Sequence, residues 1–209
     1  MLRKILPVTL FNFFYRPYKR LRLRQAYNFW KLQGAPIPPP HAIKQYHVLK
    51  SARKYNIKAF IETGTYKGEM INGVKEFFTE IYTIELDEKL YKDAQEKFIN
   101  TKHIQIILGD SALMLEDLCL LVKTPVLYWL DGHYSGGITA KGNTITPIMQ
   151  ELKYIAKRTQ ADIILIDDAR LFNGKDEYPD INALLQFIRT NFPNASITIG
   201  DDIISIFKL

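Results

Sequence analysis

The sequence predicts a doubly wound α/β fold, built on a mostly parallel sheet of seven strands that ends in an antiparallel hairpin. From residue 58 onward, short apolar runs alternate with longer stretches of helical periodicity. Five such alternations are typical of a parallel sheet covered by helices on both faces. The last two apolar runs are separated only by a short polar turn, which predicts the hairpin.

The predicted elements follow one another in order. A first helix is expected over 41–56, where apolar side chains recur at helical spacing. The five parallel strands are predicted at 58–63, 81–85, 104–108, 125–131 and 162–167. The helices that accompany them are predicted at 68–79, 87–100, 111–122, 144–158 and 180–190. The hairpin strands are expected at 196–199 and 203–207.

The bulk composition is that of a globular protein. At 209 residues, with 47% apolar and 24% charged residues, the chain is long enough for one substantial core. Its single cysteine, Cys119, excludes an internal disulfide and a cysteine-rich zinc site. No apolar run approaches the roughly 20 residues that span a bilayer, and the first ten residues lack a convincing cleavage site. These features predict a cytoplasmic protein.

The basic charge lies at the front of the chain. Residues 1–61 contain 13 of the 28 Lys and Arg residues and no Asp or Glu, whereas the remainder is acidic. Residues 1–33 interleave basic and aromatic side chains, and the proline-rich stretch 33–40 breaks any helix and acts as a stiff spacer. We therefore expect a basic, aromatic, helical extension with its linker over 1–40, and one folded domain over 41–209.

The stretch 60–68, FIETGTYKG, indicates a buried strand that runs into a glycine-bearing turn and a helix. Gly64 lets the backbone turn sharply, and Gly68 lets a bound group approach the next helix. Glu62 stands at the carboxyl end of the strand, where a parallel sheet places its ligands. The spacing E-x-G-x-x-x-G differs from the G-x-G-x-x-G of dinucleotide-binding proteins. An acid here favours a cationic or hydroxyl-rich ligand over a pyrophosphate.

Acidic residues recur where each predicted strand ends. In an open parallel sheet these ends open onto one cleft. Gathered carboxylates are costly unless a cation or hydroxyl groups compensate them. The acids are Glu62, Glu85, Asp110, Asp131, Asp167 and Asp168. The sequence therefore predicts a single acidic cleft.

With this motif and these acids, residues 58–209 resemble the class I S-adenosylmethionine (SAM)-dependent methyltransferases, which have a Rossmann-like sheet. The resemblance implies that Glu62 and Gly64 lie near the methionine part of SAM. It also implies that Glu85 accepts hydrogen bonds from the ribose hydroxyls. An ordinary solvated acid at a helix start is the alternative for Glu85.

The same resemblance implies that Asp110 and Ser111 border the adenine of SAM. These two residues fit a helix N-cap equally well, and the two roles are compatible. The other residues assigned to the SAM site are Thr63, Thr65, Gly68 and Asp131.

Asp131, Asp167 and Asp168 follow two very apolar, neighbouring predicted strands. Three carboxylates with room for waters suit Mg²⁺. The set resembles the metal site of catechol and macrolide-sugar O-methyltransferases, where the metal binds substrate hydroxyls and lowers the pKa of one. This chain departs from that pattern in Gly132 and His133, and in a longer interval to the second acid pair. Acids that cap strand-to-helix turns without a metal remain the alternative.

His133 is the predicted general base, together with Asp131, because an unperturbed imidazole titrates near neutrality. The alternative is a histidine that bonds to a loop carbonyl or positions the substrate. The glycine-rich stretch 135–143 is a candidate lid, and a nest that binds an anion on its backbone amides is the alternative. The lesser candidates for orienting a polar substrate are Tyr134, Lys141 and Arg170.

These inferences predict a SAM-dependent O-methyltransferase of a small hydroxylated substrate such as a sugar or glycan, with Mg²⁺ assistance left open. One alternative is an enzyme of another class that uses NAD(P) or a sugar nucleotide. Another is a non-catalytic, methyltransferase-like binding scaffold. A homo-oligomer is compatible with all three.

Three interpretations compete for residues 1–33. Aromatic and basic side chains together favour a peripheral membrane contact, and the same residues fit nucleic-acid binding. The third interpretation is a helix that packs on the sheet or on another subunit. Nucleic acid is the least favoured partner, because the chain has no N-P-P-Y-type base-methylation motif.

Overall fold

The computed structural model describes the backbone of residues 8–132 and 146–208. Its helices are α1 Val8–Leu32, α2 His41–Lys54, α3 Glu69–Val74, α4 Glu88–Phe98, α5 Ser111–Leu121, α6 Ile148–Ala156 and α7 Ile181–Asn191. Its strands are β1 Ala59–Thr63, β2 Glu80–Glu85, β3 Ile104–Leu108, β4 Val126–Leu130, β5 Ile163–Ile166, β6 Ser196–Gly200 and β7 Ile203–Phe207. A short 3-10 turn, Ala169–Leu171, follows β5.

The seven strands form one sheet in the order β3-β2-β1-β4-β5-β7-β6. The first five are parallel, and β7 pairs antiparallel with both β5 and β6. Thr63 at the end of β1 lies level with Ile84 of β2 and Leu130 of β4. The carboxyl ends of the central strands therefore meet at one edge, as the sequence predicts.

Each face of the sheet has its own apolar core. Alternate residues of β1 and β4, such as Ile61 and Tyr128, pack against α5, α6 and α7. Their neighbours Phe60 and Trp129 pack on the opposite face against α1, α2 and α3. Because both faces are covered, β1, β4 and β5 are buried along their whole length, which explains the continuous apolar sequences of β4 and β5. The predicted doubly wound fold is confirmed.

Helix α3 is shorter than the predicted span 68–79 and ends at Val74. The chain then turns so that Phe77 and Phe78 enter the core. The ring of Phe78 stacks on that of Phe60, with centroids 4.9 Å apart. Burial of these two rings therefore ends the helix before β2 begins.

Helix α1 packs on the body of the protein, and the buried residues among its described side chains lie in its second half. Leu23 and Trp30 are buried, and the Tyr27 hydroxyl donates to Asp201 in the β6–β7 turn at 3.0 Å. This contact supports the interpretation of a packed helix. Several large apolar side chains of α1 remain exposed, among them Phe13, Phe14, Leu21 and Phe29, and the membrane contact stays a prediction. Within the described residues, no helix has the length and apolar character that crossing a membrane requires.

Candidate functional site

The turn after β1 is built around Gly64, whose φ is +84°. A Cβ atom on Gly64 would lie 2.6 Å from the Asp131 carbonyl oxygen. The amides of Gly64 and Thr65 both donate to the Ile84 carbonyl, at 3.0 and 3.2 Å. Glycine is therefore required here by backbone conformation and by the close approach of the β4 end.

Gly68 also has a left-handed backbone, with φ at +65°. A Cβ atom there would lie 2.7 Å from the Phe98 ring. Packing therefore accounts for this glycine, and its predicted role toward a bound group stays a prediction.

Glu62 lies beneath the strand ends and is only 2% exposed. Its carboxyl group accepts a hydrogen bond from the Thr83 hydroxyl at 2.8 Å, and Thr65 Oγ1 lies 2.6 Å from that hydroxyl. Burial raises the pKa of Glu62 well above its usual range, and the nearby charges of Asp131 and Glu85 add to this effect. Glu62, Thr65 and Thr83 thus form one buried polar group under the Gly64 turn.

Glu85 ends β2 on the other side of this turn. Its carboxylate accepts hydrogen bonds from the backbone amides of Tyr66 at 2.7 Å and Asp87 at 2.9 Å. The side chain is therefore fixed at the strand end. Each amide occupies one lone pair of a different carboxylate oxygen of Glu85. Each of the two oxygens can therefore accept a further hydrogen bond.

Asp110 caps α5, because its Oδ1 accepts from the Ala112 amide at 2.9 Å. Ser111 is buried next to it. The capping role is confirmed, and the adenine contact stays a prediction.

Asp131, Asp167 and Asp168 come together as expected. One oxygen from each lies within 4.8 Å of the others. Burial and mutual repulsion raise the pKa of Asp167, and burial is also the main cause that raises the pKa of Asp131. Arg170 donates to Asp168 at 2.8 Å and also contacts Asp202.

A lysine that the sequence does not mark lies inside this acidic cluster. The Lys44 ammonium of α2 contacts Asp167 Oδ2 and lies 3.4 Å from Asp168 Oδ1. Burial lowers the pKa of Lys44, but the charges of Asp167 and Asp131 outweigh this, so the pKa is raised overall. Carboxylate oxygens are ligands that Mg²⁺ prefers. With the Lys44 ammonium among them, however, the carboxylates of Asp131, Asp167 and Asp168 do not also fit the ion.

Glu151 of α6 is the second residue that sequence reasoning missed. It is 1% exposed, and its Oε1 atom has no hydrogen-bond partner among the described residues. Glu151 and Asp167 both line a small cavity between β4, β5 and α6. Burial raises the pKa of Glu151 to about 7, although the nearby Ser111 and Thr63 hydroxyls oppose this shift.

Glu151→Gln is expected to stabilise the protein at pH 8 by up to about 3 kcal/mol and to change little at pH 4. The folded protein keeps this proton up to a pKa of about 7, whereas the unfolded chain releases it near 4.5. The parent therefore loses stability as the pH rises between these values, and the loss is complete above pH 7. Urea unfolding of both proteins from pH 4 to pH 8 measures the difference. Glu96→Gln, at an exposed position of α4, is the control and should show no such trend.

The predicted base His133, the candidates Tyr134 and Lys141 and the candidate lid 135–143 lie outside the described residues. Their proposed roles stay predictions.

None of the protein-family models matches the chain, and no curated protein matches it. Solved structures do. The methyltransferase PaMTH1 of Podospora anserina, bound to SAH (the demethylated product of SAM), is 18% identical to this chain. Its TM-score is 0.56, and the match covers 87% of this chain and 86% of that one. The O-methyltransferase of Bacillus cereus in complex with SAH is 12% identical, with a TM-score of 0.58 and coverages of 89% and 90%.

A third similar structure is the O-methyltransferase TomG of Streptomyces achromogenes, involved in tomaymycin synthesis and in complex with SAM. It is 14% identical, with a TM-score of 0.57, covering 90% of this chain and 88% of that one. At these identities the likeness is one of fold. The chain therefore has the Rossmann-like fold of the class I SAM-dependent methyltransferases.

Proposed function

We propose that this protein is a SAM-dependent methyltransferase that transfers the methyl group to a hydroxyl oxygen. The observation that carries the proposal is the pair of acids that flank the Gly64 turn, Glu85 on β2 and Asp131 after β4. SAM is a nucleoside with two ribose hydroxyls and a cationic sulfonium. The carboxylate of Glu85 can accept hydrogen bonds from the ribose hydroxyls, and the negative charge of Asp131 suits the sulfonium. The SAM- and SAH-bound structures of the same fold support this choice of cofactor.

In the proposed reaction the acceptor oxygen attacks the methyl carbon of SAM in line with the C–S bond. A C–O bond forms, the C–S bond breaks, and the sulfonium becomes the neutral sulfide of SAH, the demethylated product. The hydroxyl proton passes to a carboxylate at the cleft, and Asp131 is the proposed base among the described residues. His133 remains the other proposed base. The protein contributes mainly orientation of the two reactants.

The proposed acceptor is a small hydroxylated molecule such as a sugar or glycan. Asp131 and Asp168 can accept hydrogen bonds from acceptor hydroxyls, and Arg170 supplies a donor beside them. Similar structures that are O-methyltransferases support an oxygen acceptor. Mg²⁺ assistance takes no part in this reaction, because Lys44 lies among the carboxylates that would hold the ion.

Glu85→Ala is expected to weaken SAM binding by about ten- to hundredfold, since it removes charge-assisted hydrogen bonds to the ribose. Isothermal titration of parent and variant with SAM and SAH measures the change. Glu88→Ala, at an exposed position three residues further on, should bind SAM like the parent.

The titration of the parent also tests the proposal as a whole. Binding of NAD(P)H with no binding of SAM or SAH would replace it by the dinucleotide alternative. SAM binding that Glu85→Ala leaves unchanged would remove Glu85 from the ribose role. Thermal unfolding of each variant identifies any loss that is due to misfolding.

A further inference from the structure

We propose that the Lys44 ammonium takes the place of a divalent cation in the cleft, so that this chain is metal-independent. Lys44 would act as a positioning residue that holds Asp131, Asp167 and Asp168 together for the acceptor hydroxyl. This role in orienting an acceptor rests on the proposed function. Metal binding tests the role of Lys44 and SAM binding tests the proposed function. Because the two are measured separately, either proposal can be contradicted without the other.

The position of Lys44 is fixed by its neighbours on α2. Ile43 is 1% exposed and packs into the core. The Gln45 side chain is buried and donates to the Glu69 carbonyl of α3 at 3.1 Å. Lys44 stands between these anchors, and its own side chain is only 12% exposed. Its amine therefore stays at the carboxylates instead of turning to solvent.

Two positive charges face the three carboxylates without a metal. Lys44 contacts Asp167 and lies 3.4 Å from Asp168, and Arg170 donates to Asp168. These two side chains supply together the two positive charges that one Mg²⁺ would bring. A buried carboxylate cluster needs such compensation.

The ammonium and a divalent ion cannot share these oxygens. Mg²⁺ binds oxygen ligands at about 2.0–2.1 Å. An ammonium in contact with Asp167 would then lie next to the bound ion, and like charges this close repel by several kcal/mol. The Lys44 ammonium must move away before a metal ion can bind. Substitution of Lys44 should therefore allow Asp131, Asp167 and Asp168 to bind a divalent ion.

The test is a titration with Mn²⁺ alone, followed by isothermal calorimetry, on the parent and on Lys44→Met. We expect only weak, non-stoichiometric binding by the parent, and one Mn²⁺ bound by Lys44→Met with an affinity about a hundredfold above that weak binding. Lys50→Met removes an exposed lysine from the same helix and should behave like the parent. Asp167→Asn in the Lys44→Met background should abolish the new binding.

The proposal would be overturned if the parent bound Mn²⁺ tightly and Asp167→Asn abolished that binding. So would a folded Lys44→Met that gains no affinity, because the carboxylates would then not form a cation site. If Lys44→Met unfolds, Lys44→Gln is titrated in its place, and a rise of its melting temperature with Mn²⁺ counts as binding. SAM titration of the same proteins decides the proposed function independently.

Discussion

Arg158→Ala is expected to lower the free energy of unfolding by about 3–5 kcal/mol, because it removes the closest ion-pair partner of the buried Asp162 carboxylate and leaves it with Lys208 at 3.7 Å. The Arg158 guanidinium donates to Asp162 at 2.8 Å, and Asp162 is fully buried. The Arg158 guanidinium also donates to the Cys119 and Thr124 carbonyls at 2.7 and 2.9 Å. These hydrogen bonds satisfy carbonyl groups at the end of α5 and in the loop after it. Urea unfolding measures the loss.

Lys157→Ala is the matched control, since the neighbouring Lys157 pairs with Glu116 at the exposed surface. Its removal should change stability by less than about 1 kcal/mol. Equal effects of the two substitutions would contradict the assignment of Arg158 as a buried structural charge.

Gly64→Ala is expected to cost about 2–5 kcal/mol of stability and to abolish detectable SAM binding. The left-handed backbone accounts for about 1–2 kcal/mol, and crowding against the Asp131 carbonyl accounts for about 1–3 kcal/mol. Relief of the clash requires that the β1 and β4 ends separate, which moves Asp131 away from the cleft. Denaturant unfolding and a SAM titration measure the two effects.

Gly34→Ala separates strain from crowding. Gly34 has nearly the same φ, +85°, but a Cβ atom there would have no neighbour within 4 Å. It should therefore cost only the backbone strain and leave SAM affinity unchanged. A Gly64→Ala protein as stable as Gly34→Ala would show that the β4 end yields without cost.

The acids at the strand ends could be predicted because the signal is local. Each of them ends or directly follows a run of apolar residues, and a parallel sheet brings such ends to one edge. Asp131 and Asp167 are therefore neighbours in space although 35 other residues separate them along the chain. The glycine at position 64 is similarly marked by its place between strand and helix.

Lys44 could not be predicted, because its contacts depend on how α2 is placed on the sheet. In the sequence it is one of several lysines on a helix, and nothing separates it from the exposed Lys50. Glu151 did carry a signal. It falls on the same stripe as the buried Ile148, Leu152 and Ile155 of α6, and an acid on an apolar stripe indicates an inward-facing carboxyl group.

The turn between β6 and β7 joins two regions that the sequence separates widely. Asp201 holds α1 through Tyr27 and also lies 3.0 Å from His47 of α2. The next residue, Asp202, accepts from the Arg170 amide at 2.9 Å and contacts its guanidinium beside the carboxylates. Because Asp201 and Asp202 are consecutive, one peptide unit of the hairpin turn connects the contacts of α1 and α2 with the contacts of Arg170 beside the carboxylates.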